Sequence, residues 1–105
     1  MRKEEHMYRG TTPTLTFRLP LQTSAITALS LTLRQKGVVI EKELKDVTLG
    51  ENIVSVTLTE AETLKLQASA DSKLEIQLRV GIGDARMASQ IFCLPVERIL
   101  RDGAL

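Results

Sequence analysis

Four stretches of this sequence alternate apolar and polar residues with a period of two: residues 14–19, 29–34, 54–58 and 74–80. Successive side chains of an extended chain point to opposite faces, so each stretch predicts a β-strand with one buried and one solvated face. Leucine is a modest strand former, but the regularity of the alternation outweighs its low propensity. This parity predicts six inward-facing side chains, which are Leu31, Leu33, Val56, Leu74, Ile76 and Leu78.

Shorter apolar segments beside turn-forming residues predict further strands. Residues 38–42 follow Lys36-Gly37, a pair that is typical of a tight hairpin. Residues 47–49 lead into a second turn at residues 50–52.

Residues 81–84 (GIGD) predict a hairpin between the strand at 74–80 and a last strand over residues 87–94. Two glycines so close together also suggest a phosphate-binding loop, but the third glycine and the Gly-Lys-Ser/Thr of such loops are missing. In the last strand, Ile91 and Phe92 cannot both follow a simple alternation. A β-bulge would resolve this conflict.

A capping box, Thr-Glu-Ala-Glu, breaks the strand period. The Thr59 hydroxyl can accept a hydrogen bond from the backbone N–H of Glu62, whose carboxylate can accept one from the N–H of Thr59. Helix-forming residues continue to Leu66, so we expect one or two helical turns before residues 70–72. Because the cap and the helix dipole explain Glu62 and Glu60, the two carboxylates do not indicate an acid–base pair.

Together these elements predict an all-β fold, an antiparallel immunoglobulin-like β-sandwich of about seven strands with one short helical corner. A barrel closed from the same strands is the alternative. A chain of 105 residues is a single domain, because two domains would each be too small to bury a core. We expect the sandwich domain to cover residues 10–105, and the charged, aperiodic residues 1–9 to form a flexible N-terminal tail.

Charge and composition disfavour several classes of partner. Lys and Arg number 14 against 13 Asp and Glu, and this net charge of +1 argues against a nucleic-acid binder. No segment approaches the roughly 20 apolar residues of a membrane-spanning helix. Nor does an apolar stretch follow the basic residues at the N-terminus, as it does in a signal peptide. We therefore expect a soluble protein of the cytoplasm that binds neither nucleic acid nor membranes.

Few residues of the sequence suit catalysis or the binding of a metal or cofactor. His6, the single histidine, lies in the predicted tail, and Cys93, the single cysteine, lies in an apolar stretch that predicts a small core residue. One cysteine can form neither an intrachain disulfide nor a cysteine-rich zinc site. We therefore predict no enzymatic activity, no catalytic or metal-binding residue and no cofactor.

Three polar residues of the predicted strands are candidates for a contact surface. Arg34, Gln77 and Arg79 should project from outer strand faces, with Gln77 and Arg79 on the same face. Solvated side chains in cross-strand charge pairs are the simpler interpretation. The functional one is a docking face for another protein, since no aromatic residue lies between these arginines to stack on a nucleic-acid base.

Several short motifs resemble a family of small uncharacterised proteins from prophages and related mobile elements of Gram-positive bacteria. The motifs are residues 9–14 (RGTTPT), Gln35 with Gly37 and Glu41-Lys42, and residues 58–63 (LTEAET), 76–80 (IQLRV) and 96–103 (VERILRDG). The family pattern has glycine after aspartate where this chain has Asp84-Ala85, which leaves the hairpin type open. The layout is also similar to the N-terminal immunoglobulin-like domains of phage baseplate proteins.

This resemblance implies a non-enzymatic, phage-derived structural or adaptor module that acts by protein–protein contact. Its partners would be phage structural proteins or a second copy of the chain, in the cytoplasm of the bacterial host or within a virion. A small phage-encoded regulator that binds and inhibits a host protein is the alternative.

Overall fold

Ten β-strands and one short α-helix make up the computed structural model, which describes residues 6–68 and 71–105. In chain order they are β1 (Met7–Tyr8), β2 (Thr14–Arg18), β3 (Ala28–Gln35), β4 (Val38–Glu43), β5 (Thr48–Gly50), β6 (Ile53–Thr57), α1 (Glu60–Leu64), β7 (Leu74–Ile82), β8 (Ala85–Ala88), β9 (Phe92–Leu94) and β10 (Val96–Glu97). Two single 3-10 turns, Thr23–Ala25 and Leu44–Asp46, connect strands.

The strands form two antiparallel sheets and one short parallel pair. A five-stranded sheet has the order β4-β3-β7-β8, with β9 also paired to β7, and a three-stranded sheet has the order β2-β6-β5. The parallel pair is β1 with β10. Within the described residues the two sheets share no strand, so the fold is the predicted all-β sandwich and not the alternative barrel. The strand count exceeds seven, partly because the two-residue strands β1 and β10 are counted.

A single apolar core lies between the sheets. All six side chains predicted to face inward are buried, with at most 3% of their surface exposed. Phe17 of β2 and Phe92 of β9 bring the two sheets together, with ring centroids 6.0 Å apart. The strand parity predicted from the alternation is therefore confirmed.

Two tight turns close the predicted hairpins. Lys36 and Gly37 both have positive φ, 44° and 83°, as a type I′ turn between β3 and β4 requires. Between β7 and β8, Gly83 occupies the first position of a two-residue turn with φ 57°, as in a type II′ turn. Glycine at this first position allows the second to be Asp84.

A β-bulge interrupts the return of the chain along β7. The register shifts by one residue between Ala88 and Phe92, because the three residues 89–91 oppose two residues of β7. This bulge splits the strand predicted over 87–94 into β8 and β9. It also changes the parity, so that Ile91 is exposed while Phe92 packs against the core.

The predicted capping box begins helix α1. The Thr59 hydroxyl accepts a hydrogen bond from the Glu62 N–H at 3.1 Å, and the Glu62 carboxylate accepts one from the Thr59 N–H at 2.8 Å. Lys42 of β4 donates a further hydrogen bond to Glu62 at 2.7 Å. The helix is thereby tied to the edge of the five-stranded sheet, while residue 70 of its predicted end lies outside the described residues.

Residues 7–9 belong to the fold, so the prediction of a tail over residues 1–9 is wrong at its C-terminal end. Met7 is 2% exposed, and its N–H donates a hydrogen bond to the Pro95 carbonyl. One apolar residue in a charged run carries no periodicity, and its strand partner lies at the other end of the chain. Residues 1–5 lie outside the described residues.

Arg9 and Gly10 fasten this N-terminal segment to the end of α1. The Arg9 guanidinium donates hydrogen bonds to the carbonyl oxygens of Leu64 at 2.9 Å and Leu66 at 2.7 Å. Gly10 has φ +70°, and a Cβ at this position would lie 2.9 Å from Cδ1 of Ile99. Backbone conformation and space therefore both require glycine here.

Two buried polar side chains bind backbone groups of neighbouring segments. The Thr63 hydroxyl accepts a hydrogen bond from the Thr11 N–H at 3.0 Å and donates one to the Thr11 carbonyl at 2.8 Å. The Gln35 amide, 2% exposed, donates to the carbonyls of Gln67 at 2.8 Å and Ser72 at 2.7 Å. It also accepts from the Gln67 N–H at 2.8 Å. Each side chain takes the place of a neighbouring strand for its backbone partners.

We expect Leu78→Ala to lower the free energy of unfolding by about 2–5 kcal/mol, because it removes buried apolar volume and leaves a cavity. Gln77→Ala, on the opposite face of β7, should cost about 1 kcal/mol, the net value of the hydrogen bond from its amide to the Ser89 carbonyl. Urea titration measures both. Equal destabilisation by the two substitutions would contradict the strand parity.

The ionisation of Glu62 links stability to pH. Burial alone raises the pKa of this carboxyl, but hydrogen bonds from Lys42 and Thr59, with the charge of Lys42, outweigh burial and hold the pKa below its ordinary value. The unfolded chain therefore binds this proton more tightly than the folded protein does. The carboxylate stabilises the fold above its ordinary pKa, and this contribution is lost as the pH falls through the lowered pKa.

Glu62→Gln should therefore destabilise the protein most at neutral pH, and the gap from wild type should shrink as the solution is acidified. Urea titrations at a series of pH values measure this gap. Glu41→Gln, the same change at an exposed position of β4, is the matched control. A gap for Glu62→Gln that is independent of pH, or no larger than that of the control, would contradict the prediction.

Candidate contact surface

The three residues predicted as a contact surface lie together on the outer side of the five-stranded sheet. Arg34 is on β3, and Gln77 and Arg79 are on its neighbour β7. We call this side the outer face, and its side chains are Val39, Glu41 and Glu43 of β4, Ser30, Thr32 and Arg34 of β3, Glu75, Gln77 and Arg79 of β7, and Arg86 and Ala88 of β8. Arg34, Gln77 and Arg79 line one shallow groove of about 270 Å³, together with Thr32, Glu75, Ile76 and Ile91.

Arg34 forms a cross-strand ion pair within this groove. Its Nη2 lies 3.0 Å from Oε1 of Glu75, the residue directly opposite on β7. Both side chains are well exposed, so the pair contributes little to stability. It nevertheless leaves one end of the groove close to electrical neutrality.

Gln77 is held by the bulge and does not point freely into solvent. Its Nε2 donates a hydrogen bond to the Ser89 carbonyl at 3.0 Å, and the Ser89 hydroxyl accepts one from the N–H of Leu78 at 3.0 Å. Gln77 is half-buried and only partly solvated, because the bulge brings the Ser89 backbone within reach of its amide. Its amide fixes residues 89–91 at the rim of the groove.

Arg79 and Arg86 form the basic end of the outer face. Both line a second depression of about 170 Å³, whose other residues are Ala28, Leu29, Ser30 and Gly81. Nη1 of Arg86 donates to the carbonyls of Gly83 and Ala85, each at 2.9 Å. In residues 6–68 and 71–105 neither guanidinium forms an ion pair with a carboxylate, in contrast to Arg34.

Gly81 makes the space in which Arg86 lies. A Cβ on Gly81 would come within 2.7 Å of Arg86 Nη1, and its φ is outside the left-handed region, so space and not backbone conformation explains the glycine. Sequence reasoning missed Arg86, because residues 85–88 show no apolar alternation. The available signal was a glycine inside a strand, which often marks the close approach of another group.

Exposed apolar side chains border the outer face. Ile91 at the bulge is 52% exposed, and Val39 on β4 is 51% exposed. Exposed apolar groups therefore lie beside polar ones on this surface, as in protein–protein interfaces.

The remaining residues with reactive side chains do not gather into a site. Cys93 is exposed, so its prediction as a small core residue is wrong: the bulge turns it outward, opposite Glu75. His6 lies at the surface, with Nδ1 3.1 Å from Oε2 of Glu97. Across the described ranges, no three His, Cys, Asp or Glu side chains lie close enough together to hold a metal ion.

Comparison with known proteins does not assign the chain to a family. No protein-family model matches it, and no curated protein matches it. Among the helices in the described part of the chain, none combines the length and the hydrophobicity needed to cross a membrane.

Gly81→Ala should change the stability by less than about 1 kcal/mol, because alanine gains about 0.5–1 kcal/mol over glycine in a strand, the flexible end of Arg86 can move aside, and the tight 3.2 Å approach to Cβ of Ala28 offsets part of the gain. Gly10→Ala is the matched comparison. It should cost more, because positive φ alone costs alanine about 1–2 kcal/mol. Thermal melts measure both variants, and equal losses would show that Arg86 is as rigidly packed as Ile99.

Proposed function

We propose that this protein is a non-enzymatic, phage-derived structural or adaptor module that acts by protein–protein contact through its outer face. The observation that carries the proposal is the placement of Arg34, Gln77 and Arg79 on one open sheet face. Exposed Ile91 and Val39 border the same face.

The shape of this face favours a protein partner over a small ligand. Ligand pockets are typically concave and enclose roughly 300–1,000 Å³. The groove on the outer face is shallow and holds about 270 Å³. Hydrogen-bonding side chains beside exposed apolar ones suit a moderately sized protein contact.

The phage assignment is supported by the sequence resemblance alone, which covers most of residues 9–103. In this proposal the protein is made in the cytoplasm of the bacterial host and acts there or as part of a virion. Its partners are phage structural proteins or a second copy of the chain.

A steric block on the outer face tests the proposal. Thr32 is half-buried at the centre of the outer face, opposite both Glu41 and Gln77, so Thr32→Arg fills the groove. We expect the wild-type protein to retain virion proteins from prophage-induced cells, and Thr32→Arg to lose them. Mass spectrometry of the retained proteins is the measurement.

Thr16→Arg places the same substitution on β2, at an exposed position of the other sheet, and should retain the partners. Equal retention by both variants would contradict the use of the outer face. A single host protein retained in place of virion proteins would support the regulator. Circular dichroism shows that each variant remains folded.

A further inference from the structure

The two edges of the five-stranded sheet carry opposite charges on the outer face. Edge strand β4 presents Glu41 and Glu43, which are both exposed. At the other edge, β8 presents Arg86, and Arg79 lies one strand further in, beside Ala88. Both arginines are exposed and line the depression described above, which contains no acidic side chain.

The same residues direct their backbone groups away from the sheet. The Glu43 N–H donates to the Asp46 carboxylate at 2.9 Å, so it points away from β3. Alternate residues of an antiparallel strand point their N–H and C=O groups to the same side, so Glu41 and Val39 share this direction.

On β8 the hydrogen bond at Ser89 shows which residues direct their backbone groups toward β7. The Ser89 N–H donates to the Leu78 carbonyl of β7. By the same alternation, Met87 faces β7, while Arg86 and Ala88 direct their backbone groups to the free edge. The Glu43 N–H is already bonded to Asp46, so within the described residues β4 offers free backbone groups at Val39 and Glu41, and β8 offers them at Arg86 and Ala88.

Strand direction allows the two edges to meet. The order β4-β3-β7-β8 is antiparallel throughout, so β4 and β8 run in opposite directions. A copy shifted sideways along the sheet, without being turned over, therefore sets its β4 antiparallel to β8. The outer faces of the two copies remain on the same side.

We infer that a second copy of this chain adds its β4 to the β8 edge and makes one continuous sheet. The register that fits the charges places Glu43 of one copy opposite Arg86 and Glu41 opposite Ala88. The small Ala88 side chain leaves Glu41 free to reach Arg79. This inference rests on the proposed function and names the partner at the edges of the outer face.

The contact joins two different surfaces, so it repeats from copy to copy into a ring or a filament. Four residues of β8 make a short contact, and interfaces well below about 1,200 Å² are usually weak. The association should therefore increase with protein concentration and weaken with salt, since the paired charges are exposed.

Charge reversal at each edge tests the inference. One variant makes the acidic edge basic (Glu41→Lys with Glu43→Lys), and the other makes the basic edge acidic (Arg79→Glu with Arg86→Glu). Sedimentation velocity over a range of concentrations measures the mass. Wild type should associate, and each variant alone should stay monomeric, because both of its edges then carry the same sign.

An equal mixture of the two variants should associate again, because both junctions between them pair opposite charges. This recovery cannot come from misfolded chains, so it separates a lost contact from a lost fold. Association of either variant alone as strong as wild type, or a mixture of folded variants that stays monomeric, would overturn the inference. A wild type that is monomeric at every concentration would also overturn it. Any of these outcomes would leave the proposed function standing. That proposal is tested separately by the retention of virion proteins, and Thr32→Arg changes neither edge.

Discussion

Strand β7 is the element on which the rest of this fold depends. It pairs with β3 on one side and with β8 and β9 on the other, and its alternate residues Leu74, Ile76 and Leu78 are almost fully buried. The same strict alternation that fills the core leaves Gln77 and Arg79 on the outer face. One side of β7 therefore fills the core and the other belongs to the candidate contact surface. A shift of one residue in its register would exchange these two sets of side chains.

Side-chain hydrogen bonds satisfy backbone groups that the strands leave unpaired. Thr63 binds both backbone groups of Thr11, and the Gln35 amide binds the chain at Gln67 and Ser72. Buried polar groups are costly unless they are satisfied, so losing any of these contacts would destabilise the fold. They hold Thr11, Gln67 and Ser72 where no neighbouring strand of the described chain pairs with these residues.

Local patterns in the sequence predicted the features that depend on neighbouring residues. The period-two alternation predicted the inward residues, Lys36-Gly37 predicted the first hairpin, and the Thr59–Glu62 box predicted the start of α1. Arg34, Gln77 and Arg79 were also correctly expected on outer strand faces, since parity alone decides this. Strand parity does not indicate whether that face binds a partner.

Features that depend on distant residues were missed. Met7 is buried beside β10, which lies near the other end of the chain, and no local sequence pattern predicts such a distant partner. Cys93 was assigned to the core because its neighbours are apolar, but the bulge at 89–91 inverts the parity there. Arg86 has no distinctive sequence context, and the space it occupies is provided by Gly81 on another strand.

The parallel pairing of β1 with β10 has a mechanical consequence. Hydrogen bonds from Met7 to Pro95 and from Arg9 to Glu97 join the two strands. The chain enters β1 at one end of this pair and leaves β10 at the opposite end. Tension between the chain before Met7 and the chain after Glu97 therefore slides the strands past each other and loads these bonds together. A sandwich joined in this way resists stretching in shear, whereas a hairpin pulled from its open end would separate one bond at a time.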